Sequence, residues 1–289
     1  MRIALATSAD LPILTDDDCL LLEPLAKRGI QPEAATWSDP AYKWASCDMV
    51  VIRSCWDYHL RIAEFLHWVE SLEALGVPLW NSPKIIRWNC DKSYLRELEA
   101  KGISVVPTLW FERGPMISLA DELRRVGWHD AVVKPRISAT AHRTRLIRTE
   151  QAEEAQDLFD ELRAGPGVMV QKFMEPIVCE GEWSLMFFGG EFSHAVLKTP
   201  KAGDFRVQHD FGGHERSAQA PVPAMQAAEK AVRAAGATLY ARVDGVMDGD
   251  EFRLMELELI EPALFLQESA GAAERLAAAI AARSTQSFA

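Results

Sequence analysis

Residues 242–262 read Arg-Val-Asp-Gly-Val-Met-Asp-Gly-Asp-Glu-Phe-Arg-Leu-Met-Glu-Leu-Glu-Leu-Ile-Glu-Pro, which puts acids where a buried strand is normally apolar. Val243 to Met247 and Phe252 to Leu259 read as strands and Asp248-Gly249-Asp250 as a turn, so a hairpin is expected. Alternation then sets Glu256 and Glu258 on one face and Met255, Leu257 and Leu259 on the other. With a three-residue loop, Gly249 to Glu251, Asp244 falls opposite Glu256 and three carboxylates converge. Like charges this close raise one another's pKa unless something positive lies between them. Two readings follow: a solvated acidic face on an edge hairpin, or an oxygen-only site for a hard divalent cation such as Mg²⁺.

Other candidates sit where elements end. Asp48 to Arg53 reads as a parallel strand running into Ser54-Cys55-Trp56-Asp57-Tyr58-His59. The carboxyl ends of such strands face ligands, so Arg53, Trp56, Asp57, Tyr58 and Arg61 line a substrate pocket or form a helix start with aromatic packing. Lys92 lies in the first turn of a helix from Asp91 to Gly102, where a cation opposes the helix dipole and is either solvated or held by an anion. Lys134 ends the strand Ala131-Val-Val-Lys-Pro, an uncomfortable place for a fully solvated charge. Arg206 stands in a loop-like run, residues 203–213, beside paired glycines. His59, His142, His194, His209 and His214 each read as packing, capping or surface residues, and no His pair has metal spacing.

The elements that must position these groups begin with a β-α-β opening: a strand at Ile3 to Ala6, a helix from Asp17 to Lys27, and a strand at Ala34 to Trp37. A helix from Arg61 to Leu75 carries Phe65, Trp68, Val69 and Leu72 on one stripe, and Pro78 to Trp80 is a fourth short strand. No Gly-x-Gly-x-x-Gly turn is present, so dinucleotide binding is not expected. Downstream come strands at residues 131–135 and 168–174 with a polar loop from Arg136 to Thr144 between them. A hairpin around Gly189-Gly190, a helix from Pro223 to Ala237 and a closing helix from Leu266 to Ala282 complete the chain.

The 289 residues suffice for two or three subdomains, and 48% hydrophobic with 25% charged residues describes a globular chain. A net charge of −11 argues against nucleic-acid binding but permits a local basic pocket. Five cysteines without paired spacing suggest neither a zinc knuckle nor a disulfide framework, and no stretch approaches the ~18 apolar residues of a membrane span. A cytoplasmic protein, neither secreted nor membrane-bound, is expected.

Lys92, Val-Val-Lys134-Pro, Val-Gln171-Lys172-Phe173, Asp-Phe-Arg206-x-Gln208 with Gly212-Gly213, Asp244 and Glu256-Leu-Glu258 occur in this order. The ordered set resembles the ATP-grasp superfamily of carboxylate–amine ligases, from about Asp91 to the C-terminus. The glutathione-synthetase and ribosomal-protein glutamate-ligase branch is the most similar, while Trp-Asp-Tyr and Glu-x-Glu-x-x-Glu-Pro resemble cycloserine-forming cyclo-ligases.

The resemblance implies an α/β N-terminal domain (residues 1–90) that helps bind substrate, followed by an α+β two-lobed ATP-grasp fold (91–289), with a lid lobe at about 105–173 and a metal-binding lobe at about 174–289. It implies that Lys92 and Lys134 touch the nucleotide phosphates, under a loop in which Ser138 and Thr140 stand in for the family's glycine-rich run. Gln171 and the backbone of Lys172 and Phe173 would read adenine, and Glu182 the ribose. Arg206 would be catalytic, stabilising the transferring phosphoryl group. Asp244, Glu256 and Glu258 would hold two Mg²⁺ ions, with Mn²⁺ able to substitute and with Glu258 standing where the family commonly has Asn.

The implied reaction turns a substrate carboxylate into an acyl phosphate and joins it to an amine, releasing ADP and phosphate. The substrate would be amino-acid- or peptide-like, and a homodimer would be compatible with the resemblance. The alternatives are an intramolecular cyclo-ligase, a non-catalytic ATP sensor, or kinase-like transfer to a non-carboxylate.

Overall fold

In the computed structural model, residues 1–201, 203–204, 206–207 and 212–284 are described. Phe205, Gln208 and His209, drawn into the sequence argument above, lie outside them. The first four strands, β1 (Arg2–Thr7), β2 (Gln31–Thr36), β3 (Met49–Ile52) and β4 (Leu79–Trp80), form a sheet of order β2-β1-β3-β4 whose neighbours all pair in parallel. Met49–Ile52 is an unbroken apolar run because both faces of a parallel sheet are covered. The helix Ile62–Ala74 buries Phe65, Trp68, Val69 and Leu72 against it, the stripe that the 3.6-residue period dictates.

Two antiparallel sheets follow. Strands β5 (Thr108–Phe111), β6 (Asp130–Pro135), β7 (Arg145–Arg148) and β8 (Val168–Lys172) pair in the order β5-β8-β6-β7 and bury Val133, Phe159 and Val170 against two helices, Leu119–Val126 and Gln156–Ala164. Strands β9 (Glu182–Phe188), β10 (Glu191–Thr199), β11 (His214–Ser217), β12 (Tyr240–Asp248) and β13 (Glu251–Glu258) pair in the order β11-β10-β9-β12-β13. The helix Val222–Ala235 lies on this sheet through Ala224, Ala228 and Ala231, whose small side chains let the backbones approach.

The closing helix is shorter than expected: a 3₁₀ turn, Leu266–Glu268, precedes the helix Ala272–Ser284. Its Leu276 and Ile280 share one cluster with Ile3, Leu5, Met49, Met186 and Phe188, so the parallel sheet and the five-stranded sheet are packed through it. Asn81 adds polar stitching. Fully buried, it donates to the carbonyls of Tyr240 and Leu259 and accepts from the Leu239 N–H.

The acidic hairpin forms, but by another route than a three-residue loop. Asp248 pairs with Glu251 around a two-residue turn, and pairing is regular to Gly245 and Leu254. The register then shifts, so Asp244 still meets Glu256 and Met255 is the extra residue of a β-bulge. A Cβ on Gly245 would lie 2.3 Å from the Arg253 carbonyl oxygen and 2.4 Å from the Phe252 ring, so only glycine fits here. The bulge also corrects the expected faces. Phe252, Leu254, Leu257 and Leu259 share one core cluster, while Met255 packs on the other side with Val106, Met174, Ile177 and Val207.

Candidate active site

A cavity of about 480 Å³ opens where the three sheets meet. Of the residues singled out from the sequence, Trp56, Tyr58, Lys92, Lys134, Ser138, Gln171, Glu182, Arg206, Asp244, Glu256 and Glu258 line it.

Arg53, Asp57, Lys172 and Phe173 do not. Arg53 immediately follows β3, which ends one residue short of the expected strand, and its fully buried guanidinium donates to Asp18 (2.8 Å) and to the Pro262 carbonyl (2.8 Å). Asp57 accepts from the Trp37 indole (2.8 Å). The N–H groups of Lys172 and Phe173 donate to the Pro107 and Asp130 carbonyls, at 2.8 and 3.0 Å.

The three carboxylates at the heart of the cavity each face a cation. Glu256 pairs with Lys92 at 3.1 Å, and Lys92 also donates to the Ser138 carbonyl. Arg242 clamps Asp244 (2.9 and 3.0 Å), bonds to Glu258 and donates to the Ala263 carbonyl (3.1 Å). Asp244 is also met by Ser184 and by Lys198 at 3.4 Å, and Lys198 in turn pairs with Glu182.

Strand pairing explains the convergence. Lys198 lies opposite Glu182, Ser184 opposite Asp244, and Arg242 opposite Glu258. Arg242 and Asp244, two apart on β12, therefore point the same way. Across the cavity, Lys134 donates to Gln171 at 3.0 Å, and Gln171 to the Thr108 hydroxyl at 3.3 Å. Arg206 donates to Asp204 at 2.8 and 3.1 Å.

Charge sets the protonation states. Burial pushes Glu258 up, and the Glu256 and Asp244 charges add to this against Arg242, bringing it to about 7. Burial also pushes against Asp244, but Arg242 and Lys198 outweigh it and hold it down at about 2. Burial lowers the Lys134 ammonium from its usual range despite Glu256. Tyr58 is driven up by burial and then by the charge of Glu261, which also lines the cavity.

Lys198 and Arg242 escaped the sequence reading, although a lysine ending the apolar run Ala195 to Leu197 was a legible signal, and Glu261 entered it only as the last acid of Glu-x-Glu-x-x-Glu-Pro, without a role. The cover loop makes its turns without glycine: Thr140, Ala141 and Arg143 take left-handed backbone, φ 49, 53 and 55°.

The comparisons agree with this geometry. Residues 3–81 match the family described as D-cycloserine synthetase DcsG, N-terminal domain. The cycloserine biosynthesis protein DcsG of Streptomyces lavendulae is 32% identical over 298 residues, spanning 97% of this chain and 98% of its own. The crystal structure of D-cycloserine synthetase DcsG superposes with a TM-score of 0.88 at 31% identity, covering 99% of this chain and 100% of that one. D-alanine–D-alanine ligase from Bacillus anthracis shares the fold, with a TM-score of 0.73 at 17% identity over 98% and 97% of the two chains. Both the superfamily expected from the ordered lysines and acids and the narrower likeness to cyclo-ligases are thereby borne out. This chain belongs to the D-cycloserine synthetase family of ATP-grasp carboxylate–amine ligases.

Proposed function

We propose that the chain closes a ring: it phosphorylates a carboxylate with ATP and lets a nitrogen of the same substrate open the acyl phosphate to an amide. The full-length similarity to a protein named D-cycloserine synthetase supports this intramolecular course. The observation that carries the reading is one cavity that brings Lys92, Lys134, Lys198, Arg206 and Arg242 against Asp244, Glu256 and Glu258. Such a surface suits a polyphosphate, and phosphoryl transfer asks for positioning and charge stabilisation rather than covalent help.

In this reading Lys92, Lys134 and Ser138 hold the phosphates, Gln171 receives adenine and Glu182 the ribose, while Lys172 and Phe173, whose N–H groups are bonded to Pro107 and Asp130, do not read the base. Arg206 and Arg242 present planar guanidinium forks to the developing phosphoryl and acyl oxyanions. Trp56 and Tyr58 face the substrate, whereas Arg53 and Asp57 act from behind, by fixing Pro262 and Trp37.

The acids fit Mg²⁺ in chemistry, being hard oxygen donors on neighbouring strands. Among the described residues they do not stand as a ready metal cluster, because lysine and arginine hold them. Asp244, Glu256 and Glu258 would hold the metal, two ions with Mn²⁺ as a substitute, and these would neutralise phosphate charge.

We assign residues 1–90 to substrate binding and residues 91–289 to ATP binding, with a lid lobe at about 105–173 and a metal-binding lobe at about 174–289; the division follows the partition of β1–β4 from β5–β13 into separate sheets. A cytoplasmic location and a homodimeric state belong to the same reading.

The test is ADP release with Mg-ATP across pools of amino-acid-like carboxylates. Glu256→Gln and Arg206→Ala each abolish turnover while leaving the fold intact, read as an unchanged circular dichroism spectrum, although Glu256→Gln lowers the melting temperature because Lys92 loses its partner. An active Glu256→Gln enzyme overturns the metal assignment. ATP binding with no ADP release from any pool would indicate a sensor, and a stable phosphorylated product without an amide would indicate a kinase.

A further inference from the structure

The chain leaves β13 through residues 260–265, and side chains pin one backbone carbonyl after another. The Ile260 carbonyl accepts from the Tyr240 hydroxyl (2.8 Å), Glu261 from the Trp56 indole (3.0 Å), Pro262 from Arg53 (2.8 Å) and Ala263 from Arg242 (3.1 Å). His194 Nε2 lies 3.0 and 3.1 Å from the carbonyls of Leu264 and Phe265. The donors come from both the parallel sheet and the five-stranded sheet, so the path of this segment is fixed from two sides.

What that path delivers into the cavity is the Glu261 side chain, which is 8% exposed. Glu256, Glu258, Asp244, Glu182 and Asp18 each face a lysine or arginine. Among the described residues the Glu261 carboxylate has no ion pair and no hydrogen-bonding side chain, only its own backbone N–H. A buried carboxylate without a partner is unfavourable, and natural proteins retain one where something else supplies the cation. Burial and the nearby Glu258 charge raise its pKa well above the carboxylate range, and the Lys92 ammonium, paired with Glu256, opposes them only in part.

We propose that Glu261 is the anionic seat for a substrate amino group bound as its ammonium, and that it selects amino acids over the corresponding deaminated carboxylates. The inference rests on the ligase reading above. It also gives the seat a chemical purpose. An amine held as ammonium has no lone pair with which to attack the acyl phosphate, so the intended nitrogen meets no competitor. Trp56 and Tyr58, lining the same cavity, supply an aromatic wall suited to an ammonium.

The test is calorimetry on the intact protein loaded with Mg-AMPPNP, using two matched pairs: D-cycloserine against isoxazolidin-3-one, and D-serine against 3-hydroxypropanoate. The wild type binds the amine of each pair roughly tenfold to a hundredfold tighter, the range of a charge-assisted hydrogen bond. Glu261→Gln abolishes that preference with nucleotide affinity unchanged, and Glu261→Asp keeps part of it. Nucleotide-free Glu261→Gln melts at the same temperature as the wild type or higher.

Retained preference in Glu261→Gln, or deaminated ligands binding the wild type equally well, overturns the inference alone. A lower melting temperature in Glu261→Gln would mean that the carboxylate already has a partner, and weaker nucleotide binding would place it in the metal cluster; either overturns it. A wild type that binds nucleotide but neither pair overturns the ligase reading and this inference together.

Discussion

Replacing Arg242 by methionine keeps the length of the aliphatic stem and removes the cation between Asp244 and Glu258. The guanidinium makes a two-pronged contact with Asp244 at 2.9 and 3.0 Å, bonds to Glu258 and donates to the Ala263 carbonyl at 3.1 Å. Breaking one side of a buried ion pair costs about 3–5 kcal/mol, and an orphaned carbonyl adds about 1. The Glu258 side chain is 24% exposed and can hydrate, so the estimate rests on Asp244, at 4%. Lys198 remains beside Asp244 at 3.4 Å, which favours the lower end, about 3 kcal/mol in total. For a chain of this size that is a fall of roughly 6–12 °C in Tm. Urea unfolding and thermal melts without metal measure it. Because the same acids are then free to take a divalent cation, millimolar Mg²⁺ restores part of the loss in Arg242→Met and adds little to the wild type. Adding Glu258→Gln to Arg242→Met likewise recovers part of it. A loss below about 1 kcal/mol, or one that neither Mg²⁺ nor Glu258→Gln changes, refutes the view that arginine and metal compete for these carboxylates.

Tyr240 is fully buried and its hydroxyl faces the carbonyls of Ile52 and Ile260, each at 2.8 Å, joining the parallel sheet to the end of β13. Tyr240→Phe should lower stability by about 1–3 kcal/mol, read as a lower urea midpoint with an unchanged m-value; a shift below about 0.5 kcal/mol would mean that water replaces the bond. His194 has its pKa lowered by burial first and by Arg275, against the hydrogen bonds to Leu264 and Phe265. The unfolded chain therefore binds its proton more readily, so this contribution is complete above pH 6.5 and is lost as pH falls from 6.5 through the depressed folded value. His194→Gln should flatten that part of the stability profile, and an unchanged slope between His194→Gln and wild type would locate the acid sensitivity elsewhere.

Much of the site was legible because period two survives in strands. Asp244 opposite Glu256 and the glycine turn follow from alternation and pairing, whereas Lys134 and Gln171 came to one site only through the family resemblance. Arg53 shows the limit of that logic. The carboxyl end of a parallel strand is the right place for a ligand-binding residue, yet the chain spends this arginine on Asp18 and Pro262, two partners remote in sequence. Lys198 and Arg242 were overlooked for a related reason: a cation on a strand usually reaches solvent, and only the neighbouring strand shows that these two meet acids.

The bulge at Met255 was written in the sequence as an isolated glycine inside a strand, at Gly245. A two-residue turn alone would have set Asp244 opposite Met255 and turned the parity of everything beyond. One extra residue restores Asp244 to Glu256, returns Leu257 and Leu259 to the core, and frees Met255 to line the cavity. The hairpin can therefore carry acids on one face and core on the other only because Gly245 has no Cβ to meet Phe252 and Arg253. Charge then completes what register begins. The acids are held apart by Lys92, Lys198 and Arg242; in the function proposed above, a nucleotide would draw these cations off the carboxylates as a divalent cation takes their place. On that proposal the ion pairs of the free protein are stand-ins, and each acid of the hairpin has a cation beside it before any ligand arrives. Among the described residues Glu261 has no ion pair, which sets it apart from Asp244, Glu256 and Glu258.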